Sequence, residues 1–537
     1  MTRHEASETG RSSTAPAIPY PAGGTLRRLY AAACRWRGTR DLFADPSCRL
    51  SGAAAWRASR GLAAEFAARG VRRRSVVAFL CQPSSAHAAA WFAAPLAGAV
   101  ACNLHVRETP QRLGDTLAWL EATLLVHDED LADLAASALA SASAAGARLA
   151  SLALGAAFGR ATTASAAEAP VETPLVPDDL AAIVLSSGST GRPKGVLHTH
   201  RTLVENAKIG QALYGTVTPN DATLVVMQPS FAAWVNVVLP FVGGLGKVVF
   251  DGVFSPERFL QTLERERITL APAVPTMWRM ILGEDTGRYD LSGLRRVAIS
   301  GEPPARSDLE GIRDRVCPGI SSFYCSSEAG TGAAVLATER DVLGDAGRAG
   351  KPATTGKPVP GAEVKIIDPA GSFDDERPRG ETGEIAVSGP SLAIGYWKDD
   401  ALTRARFADG WWRSGDVGRI DVDGDLFVLG RTDNLINSGG MKVQGEEVER
   451  VLLAHPAVAQ AAVVGQPDPQ WGQRVEAYLV LKRGQQVDAA ALDAFCRGAG
   501  ALAGFKVPKA FHFTDRLPTG PTGKLYRRGL RAGDTPT

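Results

Sequence analysis

The sequence predicts an α/β protein of several units, and three observations predict it. Between Gly24 and about Leu175, Ala-rich stretches with helical spacing alternate with short apolar runs such as SVVAFLC (75–81), GAVACNL (98–104) and ATLLVHD (122–128). A second alternating block begins at the loop LSSGSTGRPKG (185–195) and includes ATLVVMQ (222–228), GKVVFDG (246–252), ITLAPAV (268–274) and RRVAISG (295–301). Strand and helix repeated in this order predict doubly wound parallel sheets, because a parallel neighbour is reached only through a crossover long enough to hold a helix. The second observation is a change of texture near Gly344, where short strands with Gly and Pro turns (AEVKIID, GEIAVSG, GDLFVLG) indicate a small β unit. The third is the block after Gly430, where EEVERVLLAHPAVAQAAVVG reads as helix then strand, AYLVLK as a strand and AALDAFCRGA as a helix.

These patterns divide the chain into a disordered N-terminus (1–23), an N-terminal domain (24–430, with the β unit at about 344–430) and a C-terminal α+β domain (431–537). The weakly periodic, Ala- and Ser-rich segment from Ala135 to Glu172 predicts a surface helix followed by a loop. At 537 residues the chain exceeds one core, and about three or four domain-sized units are the default. A hydrophobic share of 45% against 22% charged residues is that of a globular chain. A net charge of +2 with dispersed Lys and Arg leaves no electrostatic footprint for nucleic acid. Arg72, Arg73 and Arg74 read as a solvated helix end, with a phosphate or membrane contact as the alternative. The seven cysteines include no Cys-x-x-Cys pair and no accompanying His cluster, which argues against a disulfide framework or zinc site and for a reducing, cytoplasmic compartment. MTRHEASETGRSSTAPA lacks the apolar core of a signal peptide, and the apolar stretches are broken well before membrane-spanning length.

The run LSSGSTGRPKG (185–195) has the composition of a linker, yet it follows an apolar strand, DLAAIVL, and precedes VLHTHRTLVENAKIGQAL, which has helical spacing. A Gly-rich turn between strand and helix gathers backbone N–H groups on an anion, and Lys194 adds a mobile charge. On the residues alone, a tight turn and a phosphate cradle are equally supported. A Walker-type loop is excluded because no Gly-Lys-Ser/Thr stands at the required spacing.

Four further groups carry chemistry, each with a plain structural alternative. In FYCSSEAG (323–330), Tyr324 can stack on a flat ring and Glu328 can hold Mg²⁺, or they serve as packing and a helix-start carboxylate. In WWRSGDVGRIDVDGDLFVLGRTD (411–433), Asp416 and Arg431 stand at the ends of neighbouring strands, able to hold a ribose diol or simply to face solvent. LPTGPTGKLYRR places Lys524 in a Gly-flanked turn, and SGEPP (300–304) follows a strand end where ligand-contacting turns lie.

Taken together, in this order, the groups resemble the adenylate-forming superfamily of acyl-CoA synthetases, nonribosomal peptide adenylation domains and firefly luciferase. The resemblance runs from about Leu26 to Arg531, with GKPVPG (356–361), GETGEIAVSGP (380–390), GYWKD (395–399) and FKVPK (505–509) in support. It implies that the β unit is a small barrel and that the C-terminal domain is a mobile lid. It implies an ATP-dependent acid–thiol ligase that adenylates a carboxylic acid, releases pyrophosphate and transfers the acyl group to coenzyme A. Its cofactors would be ATP, Mg²⁺ and CoA, with Glu328 holding the metal. Ser186, Ser187, Gly188, Ser189, Thr190, Gly191 and Lys194 match the phosphate loop, with Thr190 a catalytic contact. Gly301, Glu302 and Pro303 match the adenine turn, Tyr324 the stacking ring, Ser327 the hydroxyl beside Glu328, and Asp416 with Arg431 the ribose clamp. Lys524 matches the catalytic lysine, Asp433 the hinge, and Gly439 and Gly440 the thiol tunnel.

The acyl pocket would be lined by Phe231, Ala232, Trp234, Ser300, Cys325, Ser326 and Thr331, with ordinary helix packing an equally supported reading of Trp234. Cys325 replaces a common Gly, and Ser322 stands where some relatives carry Gln or Asn. Ala232 occupies the position where amino-acid-activating relatives place an Asp and many acyl-CoA synthetases a His. Alanine cannot pair a buried ammonium, so the expected acid lacks an α-amino group and is aromatic or medium-chain and apolar. A carrier protein loaded on its phosphopantetheine is the alternative acceptor, and an inactive homologue acting as a binding module the alternative class.

Overall fold

The computed structural model describes residues 24–163, 174–186, 193–302, 304–345, 348–498, 502–519 and 525–531; the predicted disordered N-terminus lies outside them. Two sheets form the bulk of the chain. The six-stranded sheet runs in the order Ala150–Ala153, Ala122–His127, Val76–Leu80, Val100–Asn103, Leu180–Ser186, Lys194–Thr199, and only the last pairing is antiparallel. The nine-stranded sheet runs Lys357–Pro358, Val335–Thr338, Ile320–Tyr324, Arg296–Ile299, Leu270–Ala273, Ala222–Val225, Lys247–Phe250, Asp41–Ala44, Arg49–Ser51. Its strands from Ile320–Tyr324 to Asp41–Ala44 are parallel, and antiparallel strands close both edges. The apolar runs expected as strands are strands, since each is short, β-branched and buried on both faces, as a helix-covered parallel sheet requires.

Three local expectations are corrected. The stretch after the Gly-rich loop is not helical from its start: Lys194–Thr199 is a strand returning along Leu180–Ser186, with Ser186 opposite Lys194. The helix begins only at His200, where the Thr199 hydroxyl accepts the N–H of Thr202. A distant partner decides this, for the Leu197 N–H donates to the Gly395 carbonyl at 2.9 Å and the Trp397 N–H to the Gly195 carbonyl at 2.7 Å. The second correction concerns sheet membership. The hairpin completes the first sheet rather than opening the second, and Asp41–Ala44 crosses into the second sheet beside Lys247–Phe250. Third, the Ala135–Glu172 segment contains an edge strand, Ala150–Ala153, between the helices Ala132–Ala144 and Leu154–Thr163.

The sheets alternate with three helical layers. The helices Leu26–Arg37, Gly52–Ala68, Ser85–Leu96, His200–Ile209 and Ala232–Gly243 share one core with Val77, Phe79 and Ala101 of the first sheet and Phe43, Val225 and Phe250 of the second. The helices Pro110–Leu120 and Ala132–Ala144 cover the outer face of the first sheet, and Pro256–Arg265, Pro275–Leu282 and Arg306–Arg315 that of the second. The β unit is a five-stranded antiparallel sheet of Glu363–Ile367, Gly383–Ser388, Phe407–Ala408, Trp411–Ile420 and Leu426–Arg431. Beyond the single turn Thr432–Asn434, a second five-stranded sheet carries the helices Gly445–Leu453 and Ala489–Arg497 over its own core of Val448, Leu452, Val463, Val475 and Leu492.

Trp234, expected in the acyl pocket, belongs instead to the central core. It is 0% exposed, with its ring edge-to-face against His87 (5.0 Å) and Trp91 (5.5 Å). In the first turn of a mostly apolar helix, its side chain joins the core shared by the two sheets. Trp234→Ala is therefore expected to cost about 3–5 kcal/mol of stability, read as a lowered thermal midpoint. A change of acid preference at unchanged stability would return Trp234 to the pocket.

Candidate active site

Parallel strands end where their loops can meet a ligand, and the residues singled out in the sequence gather at such ends. Tyr324 closes the strand Ile320–Tyr324, while Ser300 and Gly301 follow the adjacent strand Arg296–Ile299. Asp416 and Arg431 face each other across two antiparallel strands of the β unit. The Tyr324 hydroxyl donates to Asp416 Oδ2 at 2.6 Å, and Arg431 Nη1 donates to Asp416 Oδ1 at 3.0 Å. Burial pushes the Asp416 carboxyl up, with Arg431 and the Tyr324 hydroxyl opposing it. Burial and the facing carboxylate raise the Tyr324 phenol, so it stays protonated and remains a donor. An ionised carboxylate has about four acceptor sites, so Asp416 keeps capacity for the hydroxyls of a diol.

Glu328 lies four residues on, buried at 9% exposure. The Tyr396 hydroxyl donates to its Oε1 at 3.0 Å and itself accepts from Trp412 Nε1 at 3.2 Å. Burial raises the Glu328 carboxyl; the Tyr396 hydrogen bond and the charges of Lys194 and Arg431 act the other way. Lys194 Nζ lies 5.8 Å from the Tyr396 ring centroid, within cation–π range. Two motifs read separately in the sequence, the loop lysine and GYWKD, are therefore one structure, zipped together along Lys194–Thr199. A lone buried carboxylate with hard oxygen donors beside a cation fits Mg²⁺, which fills most of its coordination with phosphate oxygens and water.

The Ser327 carbonyl accepts from His198 Nε2 at 2.8 Å. A carbonyl only accepts, so the proton sits on Nε2, and Nδ1 lies 3.2 Å from the Thr202 hydroxyl. This imidazole anchors the Tyr324–Glu328 segment from below and was not singled out in the sequence; neither was Tyr396. The only signal for either was position, since lone His and Tyr side chains on half-apolar segments look like packing.

The remaining predicted residues divide. Ala232 is half-buried and packs against the cluster of Val184, Val196, Ala393 and Tyr396. Phe231 is half-buried with its ring edge-to-face on His105 at 5.5 Å. The Ser326 hydroxyl accepts the Ala329 N–H at 2.9 Å, turning the chain toward Gly330. Thr331 is a correction: it is 0% exposed and bonds Asn206, behind the pocket rather than in it. Glu302 is exposed and pairs with Arg279 at 3.2 Å, while Gly301 adopts φ +97°. Asp433 is exposed in the connecting turn, and Gly439 and Gly440 form a hairpin tip, both at positive φ, against the Trp471 ring. Ser187, Gly188, Ser189, Thr190, Gly191, Pro303 and Lys524 lie outside the described residues.

Comparison with known families matches residues 30–397 to the AMP-binding enzyme domain and residues 447–524 to the AMP-binding enzyme C-terminal domain. The chain belongs to the AMP-binding enzyme family. Within it, the chain is similar to a feruloyl-CoA synthase of Amycolatopsis, 35% identical over 505 residues that span 94% of this chain and 96% of that one. It is also similar to a 2-succinylbenzoate–CoA ligase of Bacillus licheniformis, 36% identical over 66% of this chain and 70% of that one. Among solved structures, the O-succinylbenzoate coenzyme A synthetase of Bacillus subtilis in complex with AMP superposes with a TM-score of 0.81 at 26% identity, covering 94% of this chain and 98% of that one. Among the described residues of this AMP-binding enzyme, no helix is long and apolar enough to cross a membrane.

Burial lowers the His198 imidazole from its usual 6.5 to about 4, and the buried His87 and His200 fall likewise. Above pH 6.5 these rings are neutral folded or unfolded. Between pH 6.5 and 4 only the unfolded chain takes up the protons, so stability falls with pH by about 1.4 kcal/mol per unit for each ring. His198→Gln is expected to flatten that decline in urea unfolding followed across this range; an unchanged slope would show that the ring is already charged in the fold.

Proposed function

We propose that the protein is an ATP-dependent ligase that joins an aromatic carboxylic acid lacking an α-amino group to coenzyme A through an acyl-adenylate. The observation that carries the reading is the clamp of Tyr324, Asp416 and Arg431 standing beside Glu328 and Lys194: a flat ring and a diol acceptor next to an acid and a cation. In this reading the Tyr324 face stacks on adenine and Asp416 with Arg431 holds the ribose. Lys194 and the loop from Ser186 to Gly191 draw the departing pyrophosphate. Glu328 would hold Mg²⁺, whose charge neutralises phosphate oxygens. The acid's carboxylate attacks the α-phosphorus, pyrophosphate leaves, and the CoA thiol then displaces AMP from the mixed anhydride.

The acid class is supported by the walls of the site and by its relatives. Ala232 sits among apolar side chains, so an α-ammonium there would be buried without a counter-charge, at a cost of several kcal/mol. The relatives named for feruloyl- and 2-succinylbenzoate–CoA synthesis act on acids with an aromatic ring. A carrier protein is the second acceptor to test, because a fatty acid–[acyl-carrier-protein] ligase of Streptomyces coeruleorubidus is 32% identical over 66% of this chain.

Acid-dependent pyrophosphate release, measured over aromatic and aliphatic acids with CoA, with a carrier protein and with neither, tests the proposal. Release with aromatic acids and thioester formation with free CoA is the expected result. No release with any acid would sink the ligase reading, and thioester with the carrier alone would replace the acceptor. Lys524 is proposed to bridge the carboxylate and the α-phosphate where negative charge builds, a contribution of roughly 10²–10³ in rate. Lys524→Ala is accordingly expected to lose adenylation while thioester formation from supplied acyl-adenylate persists. Equal loss of both half-reactions would remove the lysine from the first step.

A further inference from the structure

Glu328 is the carboxylate proposed above to hold Mg²⁺, and the backbone that carries it is pinned on both sides. One pin comes from the strand Lys194–Thr199. Side chains alternate along a strand, so Lys194, Val196 and His198 share a face. Lys194 lies against the Tyr396 ring, and Val196 joins the apolar cluster around Tyr396. His198 Nε2 donates to the Ser327 carbonyl at 2.8 Å, across 129 positions of the chain.

That bond fixes more than Ser327. A peptide group is planar, so the direction of the Ser327 carbonyl sets the direction of the Glu328 N–H. On the other side of the Glu328 Cα, the Glu328 carbonyl accepts the Ala393 N–H at 2.8 Å. With both flanking peptide planes held, the Cα–Cβ bond of Glu328 has one direction. The side chain is thereby carried to Tyr396, whose hydroxyl donates to Oε1 at 3.0 Å and leaves the carboxylate further acceptor sites. His198 is 2% exposed, so water does not compete for its N–H. As a neutral ring it donates without adding a charge that would repel a cation.

We propose that His198 is a positioning residue for the metal site: through the Ser327 carbonyl it fixes the backbone from which Glu328 reaches Mg²⁺. This rests on the reading of Glu328 as the metal carboxylate. Mg²⁺ demands near-ideal octahedral geometry, so a site with one protein carboxylate depends on where that carboxylate points. Outer partners that orient a ligating side chain are worth about 10–100-fold in metal affinity. His198 acts one peptide group further out, which places its contribution at the lower end of that range.

The test is the ratio of two Kd values for α,β-methylene-ATP on the full chain, in EDTA over saturating Mg²⁺, measured by calorimetry. By linkage that ratio is the factor by which the chain tightens Mg²⁺ on the nucleotide. His198→Leu is expected to lower the ratio about tenfold, and His198→Gln, which keeps an N–H donor, to hold it within about twofold of wild type. The Kd in EDTA is expected to stay unchanged in both, which general loosening of the site would not allow. If His198→Leu fails to fold, Thr202→Val decides. It removes the hydroxyl 3.2 Å from Nδ1 and frees the ring to turn, and should lower the ratio about threefold. An unchanged ratio in the deciding variant, a parallel loss in EDTA, or His198→Gln falling as far as His198→Leu would overturn the role of His198. A wild-type ratio in Glu328→Gln would sink the metal reading of Glu328 and this proposal with it. No acid is present, so the outcome is separate from the release assay that tests the ligase reading.

Discussion

The Asp416 carboxylate joins parts of the chain that the sequence keeps far apart. Tyr324, 92 positions earlier, reaches it from the end of the nine-stranded sheet, and Arg431 reaches it from the last strand before the connecting turn. A buried carboxylate is unfavourable unless its oxygens are bonded, and losing one partner costs more than the bond is worth because the charge is stranded. The Tyr324 bond therefore ties the β unit to the large sheet, and the Arg431 bond holds the end of the strand from which Thr432–Asn434 leads into the C-terminal sheet. The clamp that suits a ribose is also the joint of the architecture.

A second bond chain runs parallel to the first. Trp412 holds Tyr396, Tyr396 holds Glu328, and the strand carrying Lys194 is pinned to Gly395 and Trp397 by backbone hydrogen bonds. Three units meet here: the hairpin of the first sheet, the strand end of the second and the β unit. Each supplies a side chain that alone has an ordinary structural explanation. Their convergence around one raised carboxyl separates a site from a collection of surface residues.

The acid side follows a different logic. Around Ala232 the walls are apolar. Thr331, Asn206 and Asn236 form a buried hydrogen-bonded chain behind them, and Asn236 lies 4.0 Å from the sulfur of Cys325.

The apolar runs marked the inner parallel strands of both sheets, which are buried on two faces, but not edge strands such as Ala150–Ala153, Arg49–Ser51 and Lys357–Pro358. The ordered motifs at Lys194, Tyr324–Glu328, Asp416 and Arg431 marked the family and most of the site. The sequence misled where a local pattern had two outcomes. Lys194–Thr199 has helical spacing and becomes a strand because backbone partners at 395–397 and 180–186 outweigh a weak intrinsic preference. Trp234 looks like a pocket residue beside Phe231, yet helix rotation turns it into the core, and Thr331 is buried against Asn206, 125 positions earlier in the chain. Chain-local chemistry thus determined most of the inner elements and the reaction they serve. Only the tertiary structure decided which side chains face the acid, since facing depends on helix rotation and on partners more than a hundred residues away.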